Sequence, residues 1–144
     1  MFSESRKPIY DYLYNLFYGT VTENVYEKEP QELTESDVEN GFIVLTVGDL
    51  NDFGEFHCET YGWVRCFVEA YIPPRSRGRL NLTKYEAFES GINTVIRAAA
   101  ADASGSYQIQ DDSFLSSDGD RITNANNIFH TFIKSFIVLV EEQE

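Results

Sequence analysis

Histidine and cysteine are scarce in this chain, two of each in 144 residues, and basic residues number 11 against 24 acidic ones. Each shortage excludes something. Two cysteines, Cys58 and Cys66, cannot form a disulfide-dense scaffold, and there is no CxxC pair for a zinc site. Eight positions apart on one continuous strand, they would stand about 26 Å from each other, beyond disulfide reach, so reduced core thiols are expected. The net charge of −13 repels phosphate backbones, which argues against sequence-specific binding of DNA or RNA. No apolar run reaches 18 residues, so no membrane-spanning helix is expected. The opening MFSESRKPIYDYLY has no apolar stretch of the kind a secretory leader carries, so the sequon at Asn81-Leu82-Thr83 is given no weight.

Catalytic and metal motifs are missing as well. The chain has no GxxxxGK[ST], no GxGxxG after a strand, no HExxH and no GxSxG. His57 and Cys58 are adjacent, but strand neighbours point to opposite faces and cannot readily share a proton. His130 stands among apolar residues and reads as structural. Asp111, Asp112, Asp118 and Asp120 do not keep EF-hand spacing, and turn chemistry alone accounts for Asp and Gly there. The expectation is a protein without metal, cofactor or enzymatic activity.

What the chain has is strand sequence that is apolar on both faces. From Ile128 to Val140, even positions give Ile128, Phe132, Phe136, Val138 and Val140, and odd ones give Phe129, Ile133, Ile137 and Leu139. Side chains alternate across a strand with period two, so this segment needs apolar cover on each side. A second long strand, Phe56 to Ile72, puts Val64, Cys66, Val68, Ala70 and Ile72 on one face. Trp63, Phe67 and Tyr71, diluted by Arg65 and Glu69, fall on the other.

Helical sequence is limited to two segments. Pro8 to Tyr18 carries Ile9, Tyr12, Leu13, Leu16 and Phe17 at helical spacing, with Gly19 as a stop. Tyr10 and Tyr14, continued by Tyr18, form a second row at i, i+4, i+8. The second helix opens on Thr83-Lys84-Tyr85-Glu86, read as a capping box, and keeps its pattern to about Ala103. Between the helices come a short strand at Val25 and Tyr26, an acidic loop from Glu27 to Gly41, and a core strand FIVLTV at Phe42 to Val47. A turn over Gly48 to Glu55 then leads into the long strand. Strands at Tyr107 to Leu115 and Asn127 to Glu142, joined through Asp118-Gly119-Asp120, close the chain. The order predicts one α+β domain, a mainly antiparallel sheet of about five strands with two helices packed on one face. Two helices cover one side of such a sheet. The other side therefore needs a neighbour, and a homo-oligomer is expected.

Pro73 to Arg79, PPRSRGR, is the basic cluster of this acidic chain. Pro-Pro ends the strand, and Arg75, Arg77 and Arg79 form either a solvated mobile loop or an arm that docks on an acidic neighbour such as a second copy.

KPIYDYLYNLF, VYEKEP, FIVLTVGDL, WVRCFVEAYI, LTKYEAFESGINTVIRAA and HTFIKSFIVLVEE, in this order, resemble the tail-terminator (tail-completion) proteins of long-tailed bacteriophages. The resemblance covers nearly the whole chain but lies in pattern and order, not in a diagnostic motif. The longer acidic loop before Phe42 and the PPRSRGR segment depart from it. It implies a hexameric ring in the virion tail or neck, made in the host cytoplasm, that caps the tail tube and joins it to neck or connector proteins. In that ring Trp63, Phe67 and Tyr71 would meet the next subunit, Arg75, Arg77 and Arg79 would reach across, and Tyr10 and Tyr14 would extend the contact. Two other readings compete. A type III secretion chaperone is also small, acidic and α+β, but usually closes on a helix. An NTF2-like fold would hold a small ligand, with His130 and Lys134 as its polar groups.

Overall fold

The structure is a computed structural model that describes residues 7–56, 59–101, 107–110, 115–122 and 128–141. For residues 49–56, 59–61, 110, 115–122 and 141 it describes the backbone alone. Among the described residues there are three helices, α1 (Lys7–Phe17), α2 (Glu35–Asn40) and α3 (Leu82–Ala101). Six strands accompany them: β1 (Val25–Tyr26), β2 (Phe42–Phe56), β3 (Glu59–Ile72), β4 (Tyr107–Gln110), β5 (Leu115–Ile122) and β6 (Ile128–Glu141). The class is α+β.

The strands make one sheet in the order β1-β2-β3-β6-β4, with β5 also on β6. β4 pairs with residues 137–140 of β6 and β5 with residues 128–134, so the two share one edge end to end. Six strands thus fill five positions. Every pairing is antiparallel except β1 with β2, which is parallel.

Cross-strand partners share a face, so the register sorts the side chains. On one face lie Ile43 and Leu45 of β2, Val64 to Ile72 at even positions of β3, and Phe132, Phe136 and Val138 of β6. These join Ile9, Leu13 and Phe17 of α1 and Phe88, Ile92, Ile96 and Ala99 of α3 in one core cluster. The helical spacings, i, i+4, i+8 in α1 and i, i+4, i+8, i+11 in α3, give each helix a single apolar stripe for that purpose. Cys66 is in this core, and burial pushes its thiol up to about 12. Cys58 and His57 lie outside the described residues.

On the opposite face, Phe42, Val44, Tyr71 and Phe129 make a second, smaller cluster with Tyr26 and Leu33 packed against it. Glu27 to Gly41 is therefore not a solvated loop throughout. It carries α2, started by Thr34, whose hydroxyl accepts from the Asp37 amide (3.1 Å) while the Asp37 carboxylate accepts from the Thr34 amide (2.9 Å). That reciprocal pair satisfies two donors at the helix start. Asp37 is fully buried and also accepts from the Tyr26 hydroxyl at 2.7 and 2.8 Å.

Other expectations are corrected in the same way. Gly48 to Glu55 is not a turn: β2 runs on to Phe56, with register shifts between Val47 and Leu50 and between Asp52 and Glu55. A β-bulge absorbs the residues that resist regular pairing. Asp118-Gly119-Asp120 likewise lies inside β5, with a shift between Ser117 and Gly119; of the expected strand from Tyr107 to Leu115, Tyr107–Gln110 is β4, Leu115 begins β5, and residues 111–114 lie outside the described residues. The α3 cap is Asn81, two residues earlier than Thr83, and its side chain accepts from the Lys84 amide at 3.2 Å. Asp111, Asp112, Ala103 and Gly105 lie outside the described residues.

Candidate functional site

The second face of the sheet holds three of the residues singled out for a functional surface, Trp63, Phe67 and Tyr71, and its two ends differ. At the Phe42 end the face is closed. Phe42 and Tyr71 are cross-strand partners with stacked rings, Phe129 meets both edge-on, and Tyr26 and Leu33 lie over them. Tyr71 is 0 % exposed, and its hydroxyl donates to a Glu69 carboxylate oxygen at 2.5 Å. It belongs to the chain's own interior and is not available to a neighbour, which corrects its place in the expected aromatic patch.

At the other end no such cover is found among the described residues. Trp63 pairs with Leu139, Arg65 with Ile137, Phe67 with Ser135 and Glu69 with Ile133, all on this face. Trp63, Phe67, Ile133, Ile137 and Leu139 are half-buried, while their neighbours in β3 on the first face, Val64, Cys66 and Val68, are 0 % exposed. The contrast comes from layering. Among the described residues both long helices contribute to the first cluster, and the segment bearing Tyr26 and Leu33 reaches only the Phe42 end. Arg65 and Glu69 are half-buried and set among these apolar side chains. The arrangement is an apolar patch with a cation and an anion within it, the composition of a surface that is wet at one time and covered at another.

The tyrosine row of α1 is an aromatic ladder. Tyr10 and Tyr14 have ring centroids 6.1 Å apart, and Tyr14 and Tyr18 stack at 5.2 Å with 19° between planes. Tyr10 lines a cavity of about 380 Å³ with Lys7, Glu27, Lys28, Leu45, Thr46 and Val47. Burial first, then the Glu27 charge, raises the Tyr10 pKa above its ordinary value. This ladder is at the α1 end of the β1–β2 edge. It is not brought together with Trp63 and Phe67.

Arg75, Arg77 and Arg79 sit in an exposed turn closed by backbone hydrogen bonds. The Arg75 amide donates to the Arg79 carbonyl at 2.7 Å, and the Gly78 amide donates to the Arg75 carbonyl at 3.1 Å. Residues 75–79 are all exposed.

His130 and Lys134, the polar groups an NTF2-like pocket would use, point from β6 toward the first face. Lys134 is 4 % exposed there, and neither lines the cavity beside Tyr10. Among the described residues no group of three or more His, Cys, Asp or Glu is placed to hold a metal ion, and no helix is long and apolar enough to cross a membrane. No protein-family model and no curated protein matches the chain. What the fold defines is a class: an α+β domain with a mostly antiparallel sheet, both long helices in one core cluster, and an opposite sheet face that the described residues close at the Phe42 end.

Proposed function

We propose that this chain is a non-enzymatic assembly protein whose copies close around one another through the half-exposed end of the second sheet face. The observation that carries this reading is the set Trp63, Phe67, Ile133, Ile137 and Leu139, large apolar side chains that share one face, are only half-buried, and belong to neither core cluster of the described residues. Such a patch is disfavoured in water and is relieved by a copy that covers it. Trp63 and Phe67 are its anchors, since aromatic side chains bring the most area to a contact.

The particular assembly we propose is a ring of the tail-terminator kind, hexameric, capping a phage tail tube and joining it to the neck. A ring needs a head-to-tail contact that closes, made between two different patches of the same chain. The work of such a protein is geometric: a surface is presented, and no bond is made or broken. An acidic ring would also let DNA pass without adhering, consistent with a net charge of −13.

The test is the mass of Trp63→Glu, Phe67→Glu in one chain, measured by light scattering beside the parent. Monomers with an unchanged circular dichroism spectrum are expected. An unchanged oligomer removes this face from the contact, and a two-subunit parent favours a chaperone-like dimer over the ring.

A further inference from the structure

We propose that the arginine turn of one copy docks on the acidic flank of another, against the outward carboxylates of Glu32, Glu35 and Glu39. The inference rests on the self-assembly reading and names the polar contact that accompanies the apolar one.

The turn is built to present its charges. Two backbone hydrogen bonds close it between Arg75 and Arg79, and all of its residues are exposed. Arg77 at its centre has φ +64°, the left-handed region that a side chain disfavours and glycine enters freely. Gly78 beside it has φ +70° with open space around its Cα. An arginine standing where glycine would be cheaper, in full solvent, contributes nothing to the protomer that glycine could not. Arg75, Arg77 and Arg79 form no ion pair among the described residues, although the chain carries 24 acidic side chains.

The complementary surface is on the same chain. Glu32, Glu35 and Glu39 are exposed, on α2 and just before it, while Asp37 turns inward to Tyr26. Lys84 does not neutralise them: its ammonium reaches the carbonyl oxygens of Glu39 and Asn40, both at 3.4 Å. Arginine's planar fork matches a carboxylate with two parallel donors. Two molecules of net charge −13 repel at long range, so an assembly of them needs a local contact of opposite sign to offset the repulsion and set the register. The arginine turn and the α2 flank supply that pair. A nucleic-acid phosphate chain would offer the arginines suitable acceptors but would meet the repulsion of a net charge of −13 along its length.

The experiment uses two full-length variants, one with Arg75→Glu, Arg77→Glu and Arg79→Glu, the other with Glu32→Lys, Glu35→Lys and Glu39→Lys. Each alone should associate at least tenfold more weakly than the parent while keeping its circular dichroism spectrum. Mixed in equal amounts, they should recover the parent's mass, because every contact between unlike copies again joins opposite charges. Arg77→Gly supplies a control, expected to unfold at a higher temperature than the parent yet to associate more weakly. A parent that is monomeric at all concentrations overturns the assembly reading and this inference together. A parent that assembles while both variants assemble equally well overturns only the inference, as does a mixture that fails to recover. A labelled oligonucleotide bound by the parent and released by the arginine substitutions, with no change in protein mass, would assign the turn to nucleic acid instead.

Discussion

Phe42 and Tyr71 are cross-strand partners whose rings stack with centroids 4.4 Å apart and 11° between planes, on the sheet face opposite the main core. Both are fully buried, and Phe129 packs edge-on against each, at 5.4 Å from Phe42 and 6.0 Å from Tyr71. The chain thus spends part of its acidic segment on closing one end of its second face, and Tyr71 marks where that closure stops.

Tyr71→Ala should therefore destabilise the folded protomer by about 3–5 kcal/mol, the cost of deleting a large buried aromatic side chain. Tyr71→Phe removes the hydroxyl and its bond to Glu69 and should cost about 1 kcal/mol. Urea unfolding measures both. If Tyr71→Ala left stability untouched and altered only the oligomer mass, Tyr71 would belong to a subunit contact after all.

Asp37 and Tyr26 give a prediction in pH. Burial, and then the hydrogen bond and charge of Asp37, hold the Tyr26 hydroxyl up to about 12 against an ordinary value of 10.0. A folded-state pKa raised above the unfolded one means that the contribution to stability is full below about pH 10 and is lost as pH rises toward 12. Tyr26 should therefore ionise late in an alkaline titration followed by tyrosinate absorbance. Asp37→Asn should bring that ionisation to lower pH and cost about 2 kcal/mol, since it removes a buried charged acceptor from the Tyr26 and Thr34 donors. A titration unmoved by the substitution would show that Asp37 does not govern Tyr26.

Two glycines should respond in opposite directions. A Cβ at Gly41 would come 2.5 Å from the Tyr71 carbonyl oxygen, at a φ of +85°, so Gly41→Ala should destabilise by more than 1 kcal/mol. A Cβ at Gly91, inside α3, would meet Val21 methyls at an ordinary 3.5 Å. Gly91→Ala should then stabilise by about 0.5–1 kcal/mol, the difference in helix propensity. Thermal unfolding of the two variants tests both signs, and a stabilised Gly41→Ala would contradict the geometry given for the α2–β2 joint.

The elements legible in the sequence are those whose apolar residues keep a clean period. α1, β3 and β6 follow 3.6- or 2-residue spacing, with Arg65 and Glu69 in β3 and His130 and Lys134 in β6 as polar interruptions, and the alternation in β3 and β6 sorted their side chains between the two faces. α2 was not legible that way: ESDVEN has no apolar stripe, and its signal was the pair Thr34 and Asp37, three residues apart. The same rule applied to Thr83 and Glu86 misplaced the α3 cap, because Asn81 lies two residues earlier and asparagine caps as well as threonine does. Gly48 to Glu55 and Asp118 to Asp120 carry turn residues yet pair as strand, since bulges tolerate them. Of the candidate surface, Trp63 and Phe67 were readable from alternation alone. The burial of Tyr71 was not, because it depends on Tyr26 and Leu33 arriving from a distant stretch of chain.

The central claim is that copies of this chain cover one another's second sheet face, and electron microscopy of the purified protein, paired with its mass by light scattering, tests it most directly. Closed rings of six subunits are the predicted result. A monodisperse monomer at high concentration would contradict it.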